Sequence, residues 1–444
     1  MNPVIMQSVA ADFSQDTWWI WVIKSLFIVL FLIFSVIFVL WFERRLIARF
    51  QNRVGPNTVG PFGLGQSFPD ALKLLVKEDM WLAGADKVVY FIAPVITAVC
   101  AFTVMAVIPM GPEVSMFGIT TPLQLTDSPV AMLFVLAVAA LGEYGMVFGG
   151  WSAKSTLPLY GSVRSATQMI SYELAQGLSL VTVFFLAVTL STSGIVEAQK
   201  DLWNVFTLLP AFLVFLVTMF GETNRLPFDL PEAEGEIVAG PHTEYSSMKF
   251  GWYYLAEYIN MFNVSALAVT LFFGGWRSGP CLTFLGGLIG WDPNTGWFPM
   301  LVFILKMWTF IAIFVWARAT LLRFRYDQFM KLGWKGLIPS ALIWLTIVLI
   351  VHGYELINPA FNKKLPLIIL STGFAAIMLI WAFVRDDVIT SQAELIAERQ
   401  SEEFDGFENG YPVPPLPGQH LPPSPRAARR KATTTTIVEE AGNV

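Results

Sequence analysis

The sequence predicts an all-α polytopic membrane protein with about nine transmembrane helices and one amphipathic helix at the membrane surface. The 444 residues are 55% hydrophobic and only 14% charged, and their mean hydropathy is +0.59. Apolar runs of about 18 residues or more recur along the chain, and each is long enough to cross a hydrocarbon core of about 30 Å. The runs are continuous, whereas the strands of a membrane barrel alternate between apolar and polar residues.

Nine apolar runs define the predicted spans. In chain order they are 18–42, 88–109, 130–150, 170–191, 204–220, 252–275, 298–318, 338–357 and 366–384. No basic residue precedes the first run, which we therefore expect to be a true span and not a cleaved signal peptide.

The basic residues predict the orientation of the chain. Lys and Arg concentrate in loops 43–87, 151–169 and 319–337, which the positive-inside rule puts in the cytoplasm, with the N-terminus outside. The alternation puts residues 221–251, which are acidic, inside as well. The expected organisation is an outside segment over 1–17, an eight-helix core over 18–357, an extra C-terminal transmembrane helix over 358–385 and a disordered, acidic, proline-rich and then basic tail over 386–444.

Residues 67–79 predict the amphipathic helix. Phe68, Leu72, Leu75 and Val76 fall on one helical face. Such a helix lies in the plane of the membrane interface, with its apolar face towards the acyl chains. The alternative interpretation is an ordinary loop that carries a surface helix.

The stretch 221–263, which reads GETNRLPFDLPEAEGEIVAGPHTEYSSMKFGWYYLAEYINMFN, is unusually acidic for a segment between two apolar runs. Its acidic residues are Glu222, Asp229, Glu232, Glu234, Glu236 and Glu244. Only Arg225 and Lys249 oppose them, and the apolar run that follows carries Glu257. A carboxylate loop that leads to an acidic residue inside a span calls for a functional explanation.

Other spans also carry charged residues, namely Glu143, Glu173 and Lys306. An intramembrane charge costs roughly 2.5–3.5 kcal/mol even on the lenient insertion scale, so these side chains are expected to face protein or water. Taken singly, each could be a buried polar residue that holds helices together. Taken together with Glu257, they predict either a path for protons or a row of charges that relays an electrostatic change, and the sequence leaves both open.

Several function classes are excluded by missing residues. The two cysteines, Cys100 and Cys281, form no CxxC pair, and the three histidines are far apart, so the chain offers no ligand set for an iron–sulfur cluster or a structural zinc. The sequence lacks a nucleophile elbow, an HExxH motif and a P-loop. Nothing in it suggests binding of nucleic acid.

Four segments resemble one known family. They are ERRLIARFQNRVGPNTVGPFGLGQSFPDALKLLVKED, LYGSVRSATQMISYELAQGLSL, the acidic stretch and RATLLRFRYDQFMKLGWK. They are similar, in one collinear order over about residues 15–355, to the H subunits of bacterial proton-pumping NADH:quinone oxidoreductase, respiratory complex I. The resemblance implies a multi-pass subunit of the bacterial plasma membrane with a cytoplasmic C-terminus and no redox centre of its own. It would form the floor, wall and lipid-side entrance of a chamber for the substrate quinone, either ubiquinone or menaquinone.

The resemblance also implies partners and cofactors. FMN and the iron–sulfur clusters would lie in partner subunits, which include the peripheral terminal iron–sulfur subunit, the quinone-site subunit and antiporter-like membrane subunits. Membrane lipids would surround the chain, and no cofactor would be covalently bound.

Site residues carry over from the matching motifs. The quinone chamber and entrance would include Glu43, Arg44, Arg45, Asp70, Phe228, Arg318, Arg323 and Arg325. The proton-coupling path would include Glu143, Glu173, Asp229, Glu232, Glu234, Glu236, Glu244 and Glu257. Lys306 is added to this path because it is a further charge inside a predicted span. Two features depart from the family pattern: Leu322 stands where a proline is common, and the ninth span exceeds the family's eight.

Two alternative functions differ in class. An equivalent subunit of a membrane-bound hydrogenase would share the helical core and use another electron donor. A stand-alone transporter is compatible with Lys306 and Glu257, but the sequence has no internal repeat and no matching pair of broken helices.

Overall fold

The computed structural model describes residues 11–116, 118–232, 234–279, 283, 292–358 and 364–380. Seven helical segments in this part of the chain are long and apolar enough to cross a membrane, namely Trp18–Phe50, Lys87–Val107, Ala131–Ser152, Thr156–Ala187, Ser247–Phe272, Phe298–Thr320 and Tyr326–Ile357. Leu209–Glu222 and Lys364–Ile380 are shorter apolar helices. The predicted all-helical membrane class is confirmed, with seven full-length spans where nine were predicted.

The helices are numbered in chain order. They are α1 (Trp18–Phe50), α2 (Ser67–Val76), α3 (Lys87–Val104), α4 (Ala131–Ser152), α5 (Thr156–Ala187), α6 (Thr192–Ala198), α7 (Asn204–Thr207), α8 (Leu209–Glu222), α9 (Glu234–Ile237), α10 (Ser247–Phe272), α11 (Phe298–Thr320), α12 (Tyr326–Leu332), α13 (Ile338–Ile357) and α14 (Lys364–Ile380). A π-helical turn, Gly333–Leu337, joins α12 to α13. Short 3-10 segments lie at Pro61–Gln66, Met105–Val107 and Gly240–His242.

One small hairpin interrupts the helical architecture. Strand β1 (Glu113–Met116) pairs antiparallel with β2 (Ile119–Pro122), and Val114 lies opposite Thr121. The hairpin lies between the predicted spans 88–109 and 130–150.

Two helices extend well beyond their predicted ends. Helix α1 continues to Phe50, and α5 begins at Thr156 instead of near residue 170. With 33 and 32 residues, each is about 50 Å long at a rise of 1.5 Å per residue, more than a hydrocarbon core of about 30 Å requires. Polar residues lower the hydropathy of these extensions without interrupting the backbone hydrogen bonds, so hydropathy alone predicted both helices too short.

The chain divides into two compact units, Met1–Ala375 and Ala376–Val444. Of the second unit, the structure describes residues 376–380, which are helical. The predicted tail over 386–444 and the end of the predicted ninth span lie outside the described residues.

Helix α10 is the centre of the first unit. Every residue from Met261 to Phe272 is buried, and the helix packs against α3, α11, α1, α2 and α8. Asn263 lies within this buried run and donates a hydrogen bond from Nδ2 to the carbonyl oxygen of Ala101 at 2.7 Å. The first turns are less enclosed, since Met248 and Trp252 are 40% and 38% exposed, but the Glu257 side chain is only 19% exposed and so faces mainly protein.

Residues 223–246, here called the acidic loop, are held by contacts from several helices. Gln168 of α5 donates from Nε2 to the carbonyl oxygens of Gly221 and Phe228, at 2.7 and 3.1 Å. Tyr90 of α3 donates its hydroxyl to the carbonyl oxygen of Glu244 at 2.6 Å. Gly240 has a positive φ of 51°, and a Cβ there would lie 1.8 Å from the carbonyl oxygen of Pro231. The loop therefore has a defined path, which fixes its carboxylates relative to the helices.

The segment after α11 turns without the proline common in the family. The helix ends at Thr320, and Leu321 has an extended backbone with φ −88° and ψ 141°. The Phe324 amide then donates to the carbonyl oxygen of Pro227 at 3.1 Å. The turn is therefore fixed by this contact with the acidic loop, and Leu322 is compatible with it.

Candidate functional site

Four charged side chains from four separate parts of the chain meet at one end of the bundle. We call Glu43, Arg225, Glu257 and Arg318, together with Tyr258, the charge cluster. Arg318 of α11 forms an ion pair with Glu43 of α1, and Tyr258 donates a hydrogen bond to the other Glu43 oxygen at 2.8 Å. Glu43 is only 5% exposed, so it is a buried carboxylate with matched partners.

Arg225 is the central cation of the charge cluster. Its Nε lies 2.9 Å from Oε1 of Glu257, and its Nη1 lies 4.0 Å from Oε1 of Glu43. Its guanidinium carbon lies 3.9 Å from the centre of the Tyr258 ring, a cation–π contact. Burial acts to lower the pKa of Arg225, but Glu257, Tyr258 and Glu43 together outweigh burial and hold that pKa above its usual range.

Asp229 of the acidic loop lies beside the charge cluster. Burial raises the pKa of the Asp229 carboxyl, although the guanidinium groups of Arg323 and Arg225 pull it down. This carboxyl group is therefore more easily protonated than a solvated aspartate, while it remains within electrostatic range of the arginines.

Glu257 also lines a small cavity, here called the acid cavity, together with residues of α4, α8 and the acidic loop. Its other titratable lining residues are Glu143, Glu222, Glu232 and His242. The cavity offers about 30 Å³ to the centre of a water molecule, enough for one or two waters between polar groups. Glu143 lies within electrostatic range of Glu222, Glu173 and Glu257.

A second, smaller cavity adjoins this region on the α5 side. Glu173 and Gln176 line it, and Glu222 lines it as well. Glu222 thus stands between the two cavities and connects Glu173 to the acid cavity. A series of carboxylates therefore runs from the charge cluster through Glu257, Glu143 and Glu222 to Glu173.

His242 adds a neutral group to the acid cavity. Its Nε2 lies 3.8 Å from Oε1 of Glu232, and its ring packs edge-on against Tyr253. Burial lowers the pKa of His242 to about 4, so the imidazole is neutral near pH 7 and forms no ion pair with Glu232. A neutral imidazole has both a donor and an acceptor nitrogen, as a proton relay requires.

The predicted entrance residues come together between α1 and α2. Arg44 forms an ion pair with Asp70, and Arg45 donates to the carbonyl oxygen of Phe62. Trp41 donates its indole N–H to the same oxygen at 3.1 Å. These contacts fasten the segment before α2 to the end of α1.

Other predicted site residues lie apart from these groups. Phe228 is buried in an aromatic cluster with Tyr172, Phe324 and Phe329. Glu236 is exposed and pairs with Arg164, and Arg325 lies 3.9 Å from Asp327. Glu244 supplies its backbone oxygen to Tyr90. Glu234 begins α9, and its side chain lies outside the described part of the structure.

Lys306 contacts backbone carbonyl groups far along α10 from Glu257. Its Nζ donates to the carbonyl oxygens of Phe273, Gly275 and Arg277 at 2.7, 3.0 and 2.6 Å. Phe273 is 16 residues beyond Glu257, about 24 Å along α10 at 1.5 Å per residue. Lys306 thus satisfies carbonyl groups just past the end of α10, which a helix end otherwise leaves without donors.

We expect Lys306→Met to lower the temperature at which the assembled protein unfolds, because a buried carbonyl that loses its donor costs about 1–3 kcal/mol. Thermal unfolding of the purified assembly measures this, and Lys306→Arg, which keeps a cation, is the matched control. A variant with normal thermal stability but less proton movement per assembled protein would instead support the predicted place of Lys306 in the proton path.

The site residues predicted from the sequence did not include Glu222, Arg225, His242 or Tyr258, although all four stand in the acidic stretch 221–263. The excess of carboxylates there favours a buried cation such as Arg225. Tyr258 directly follows Glu257 in an apolar run. Its position in the sequence does not show whether its ring packs against a guanidinium group or against other apolar side chains. Within the described residues, no group of three or more His, Cys, Asp or Glu side chains is arranged to hold a metal ion.

Comparison with known proteins agrees with the resemblance. The sequence profile of the NADH dehydrogenase family matches residues 23–349. The chain is 46% identical over 436 residues to the H subunit of the NADH-quinone oxidoreductase of Streptomyces avermitilis, and the match covers 97% of this chain and 94% of that protein. This similarity favours the quinone-linked complex over the hydrogenase-type alternative. The chain therefore belongs to the NADH dehydrogenase family, as the multi-pass membrane subunit of H type in NADH:quinone oxidoreductase, respiratory complex I.

Proposed function

We propose that the chain forms the floor, wall and lipid-side entrance of the quinone chamber of complex I, and that its buried carboxylates begin the proton-coupling path. This proposal rests on Glu257, which belongs both to the charge cluster and to the lining of the acid cavity. It pairs with Arg225 in the charge cluster and also lines the acid cavity with Glu143 and Glu222. A change of charge at the cluster therefore acts directly on the carboxylate series.

The magnitude of this electrostatic effect is sufficient for coupling. Two unit charges about 4 Å apart interact by about 4 kcal/mol at an effective dielectric constant of about 20. That energy corresponds to almost three orders of magnitude in an equilibrium constant. Reduction of the quinone consumes electrons and protons, so a charge that appears in the chamber would shift the proton balance of Glu257. The series could then pass a proton or pass only the electrostatic change.

The exposed apolar face of α2 is the evidence for a quinone entrance at this helix. Phe68, Leu75 and Val76 are 63%, 57% and 84% exposed, whereas Asp70 on the same helix is held by Arg44. An amphipathic helix of this kind lies at the membrane interface with its apolar face towards the acyl chains. It would admit the apolar tail of a quinone from the bilayer towards the charged end of α1.

The rest of the proposed arrangement concerns the whole complex. Electrons would reach the quinone from the FMN and iron–sulfur clusters of partner subunits, while this chain supplies walls and titratable groups. Its neighbours would include the terminal iron–sulfur subunit, the quinone-site subunit, antiporter-like subunits and membrane lipids.

The basic loops would face the cytoplasm, with the N-terminus outside and the C-terminus inside. An eight-helix core over 18–357 would be followed by the extra span over 358–385 and the tail over 386–444.

Neutral variants of two acidic residues test the coupling role. We expect Glu257→Gln to reduce NADH-driven quinone reduction and proton pumping about tenfold, because the neutral amide removes the charge shared by the cluster and the cavity. We expect a smaller loss, about threefold, for Glu232→Gln at the edge of the cavity. Quinone reduction and pumping are measured in proteoliposomes that contain the intact complex.

Assembly must be scored separately in the same preparations. Electron transfer from NADH to ferricyanide reports the flavin subunits and should stay normal in both variants. Glu197→Gln is the matched control, because Glu197 is an exposed partner of Arg277 that lines neither carboxylate cavity. Normal pumping in both Glu257→Gln and Glu232→Gln would contradict the proposed path.

A further inference from the structure

A groove outside the charge cluster has the features of a lipid site. It lies between α3, the start of α10 and the segment after α2, and its volume is about 510 Å³. Phe91, Val95, Val99 and Phe102 line it along α3. Phe91 and Val99 are 54% and 57% exposed, so the groove is open along its length.

The dimensions of the groove fit a slender chain. From Phe91 to Phe102 is 11 residues, about 16 Å along the helix and close to half of a hydrocarbon core of about 30 Å. The groove is therefore long enough for an extended acyl chain within one leaflet.

One end of the groove is polar and carries an ion pair, and the two side chains of this pair differ in their exposure. Lys249 lies 2.9 Å from the Asp79 carboxylate, and its Nζ lies 3.6 Å from the centre of the Trp81 ring. The Lys249 side chain is 8% exposed, whereas that of Asp79 is 42% exposed. The group that a ligand reaches at this end is therefore the carboxylate, and the enclosed ammonium group only balances its charge.

Two tryptophans mark the same end. Trp81 and Trp252 line the groove, and both are partly exposed. Tryptophan is enriched at the level of the lipid headgroups, where its ring faces acyl chains and its N–H faces polar groups. Ser247 and Met248, at the start of α10, also line this end, so the positive end of the helix dipole lies close to it. A phosphate group bound there would be stabilised by the dipole.

We propose that this groove binds one phospholipid with a zwitterionic, amine-bearing headgroup of the phosphatidylethanolamine class. The acyl chain lies along Phe91–Phe102, and the ammonium group of the headgroup pairs with Asp79. An anionic headgroup without an amine meets the exposed carboxylate and binds less well. The uncharged head of a quinone finds no charge complement at Asp79, which favours the lipid over a quinone tail.

Photocrosslinking of the intact complex tests this site. The complex is placed in lipid nanodiscs that contain phosphatidylethanolamine or phosphatidylglycerol with a diazirine in the acyl chain, and labelled peptides are mapped by mass spectrometry. We expect phosphatidylethanolamine to label the α3 segment 91–102 at least fivefold more than phosphatidylglycerol does. Val99→Trp, which fills the groove, should remove most of this label, whereas Leu305→Trp, at a 70% exposed position of α11, should not.

The headgroup contact has its own variants. Asp79→Asn should reduce labelling by phosphatidylethanolamine to the level of phosphatidylglycerol. The double variant Asp79→Asn with Lys249→Met should do the same without leaving a buried cation, and its NADH:ferricyanide activity should show normal assembly. Equal labelling by the two lipids in every variant would overturn the headgroup assignment. Absence of lipid label with crosslinks to a partner subunit, or displacement of the label by a long-tailed quinone, would overturn the lipid site itself.

Discussion

Arg225→Met is expected to reduce NADH-driven quinone reduction at least tenfold and to weaken assembly of the complex. Arg225 is 9% exposed and stands between the carboxylates of Glu43 and Glu257. Removal of one member of a buried ion pair costs about 3–5 kcal/mol, because the partner remains buried with an uncompensated charge. Arg318 still neutralises Glu43, so the larger part of this cost falls on Glu257. The measurement is quinone reductase activity per flavin in membranes, with assembly followed by native electrophoresis.

Two further variants separate stability from function. Arg225→Met with Glu257→Gln removes both charges, so we expect assembly to recover while quinone reduction stays low. Arg225→Lys keeps the charge but loses the planar group that stacks on Tyr258, and we expect an intermediate loss. Lys364→Met is the control, because its exposed pair with Asp201 contributes at most about 1 kcal/mol. Full activity in Arg225→Met would mean that the charge cluster has no part in quinone chemistry.

The sequence was sufficient to predict the fold class, since hydropathy follows directly from what a lipid bilayer demands of a helix. It was less informative about where helices end. Residues 156–169 read as a loop because they are polar, yet they belong to α5. Side-chain polarity reports the environment of a helix, whereas the helix ends where its backbone hydrogen bonds stop. The extension of α1 past Glu43 has the same explanation.

The sequence named some residues of the candidate site, but it did not indicate how they are arranged. Glu43 and Arg318 are 275 residues apart, and no periodicity within either helix indicates that they touch. The resemblance named both without pairing them. Lys306 was grouped with Glu257 because both are charges inside spans, yet Phe273, which Lys306 contacts, lies about 24 Å along α10 from Glu257. A charge inside a span requires a partner, but the partner is chosen by tertiary packing. Lys306 donates hydrogen bonds to three backbone carbonyl oxygens, which take the place of a carboxylate partner.

Glu222 gives the clearest test of a single path. In the described part of the chain it is the one titratable residue that lines both the acid cavity and the cavity of Glu173. We expect Glu222→Gln to lower quinone reduction and proton pumping in parallel, about tenfold, because the amide cannot take up a proton and carries no charge to relay. Glu222→Asp, which keeps the carboxylate on a shorter side chain, should retain a larger share of both activities. Both rates are measured on the same proteoliposomes with a pH-sensitive dye.

The double variant Glu222→Gln with Glu143→Gln decides whether these residues act in series. Both line the acid cavity, and Glu143 lies within electrostatic range of Glu222. A serial path is already interrupted by the first substitution, so the double variant should lose no more activity than the more affected single variant. Losses that multiply would show independent contributions, since additivity of free energies is the behaviour of uncoupled sites. In that case the carboxylates would shape the electrostatic field of the chamber separately, and the single series from Glu257 to Glu173 would be wrong.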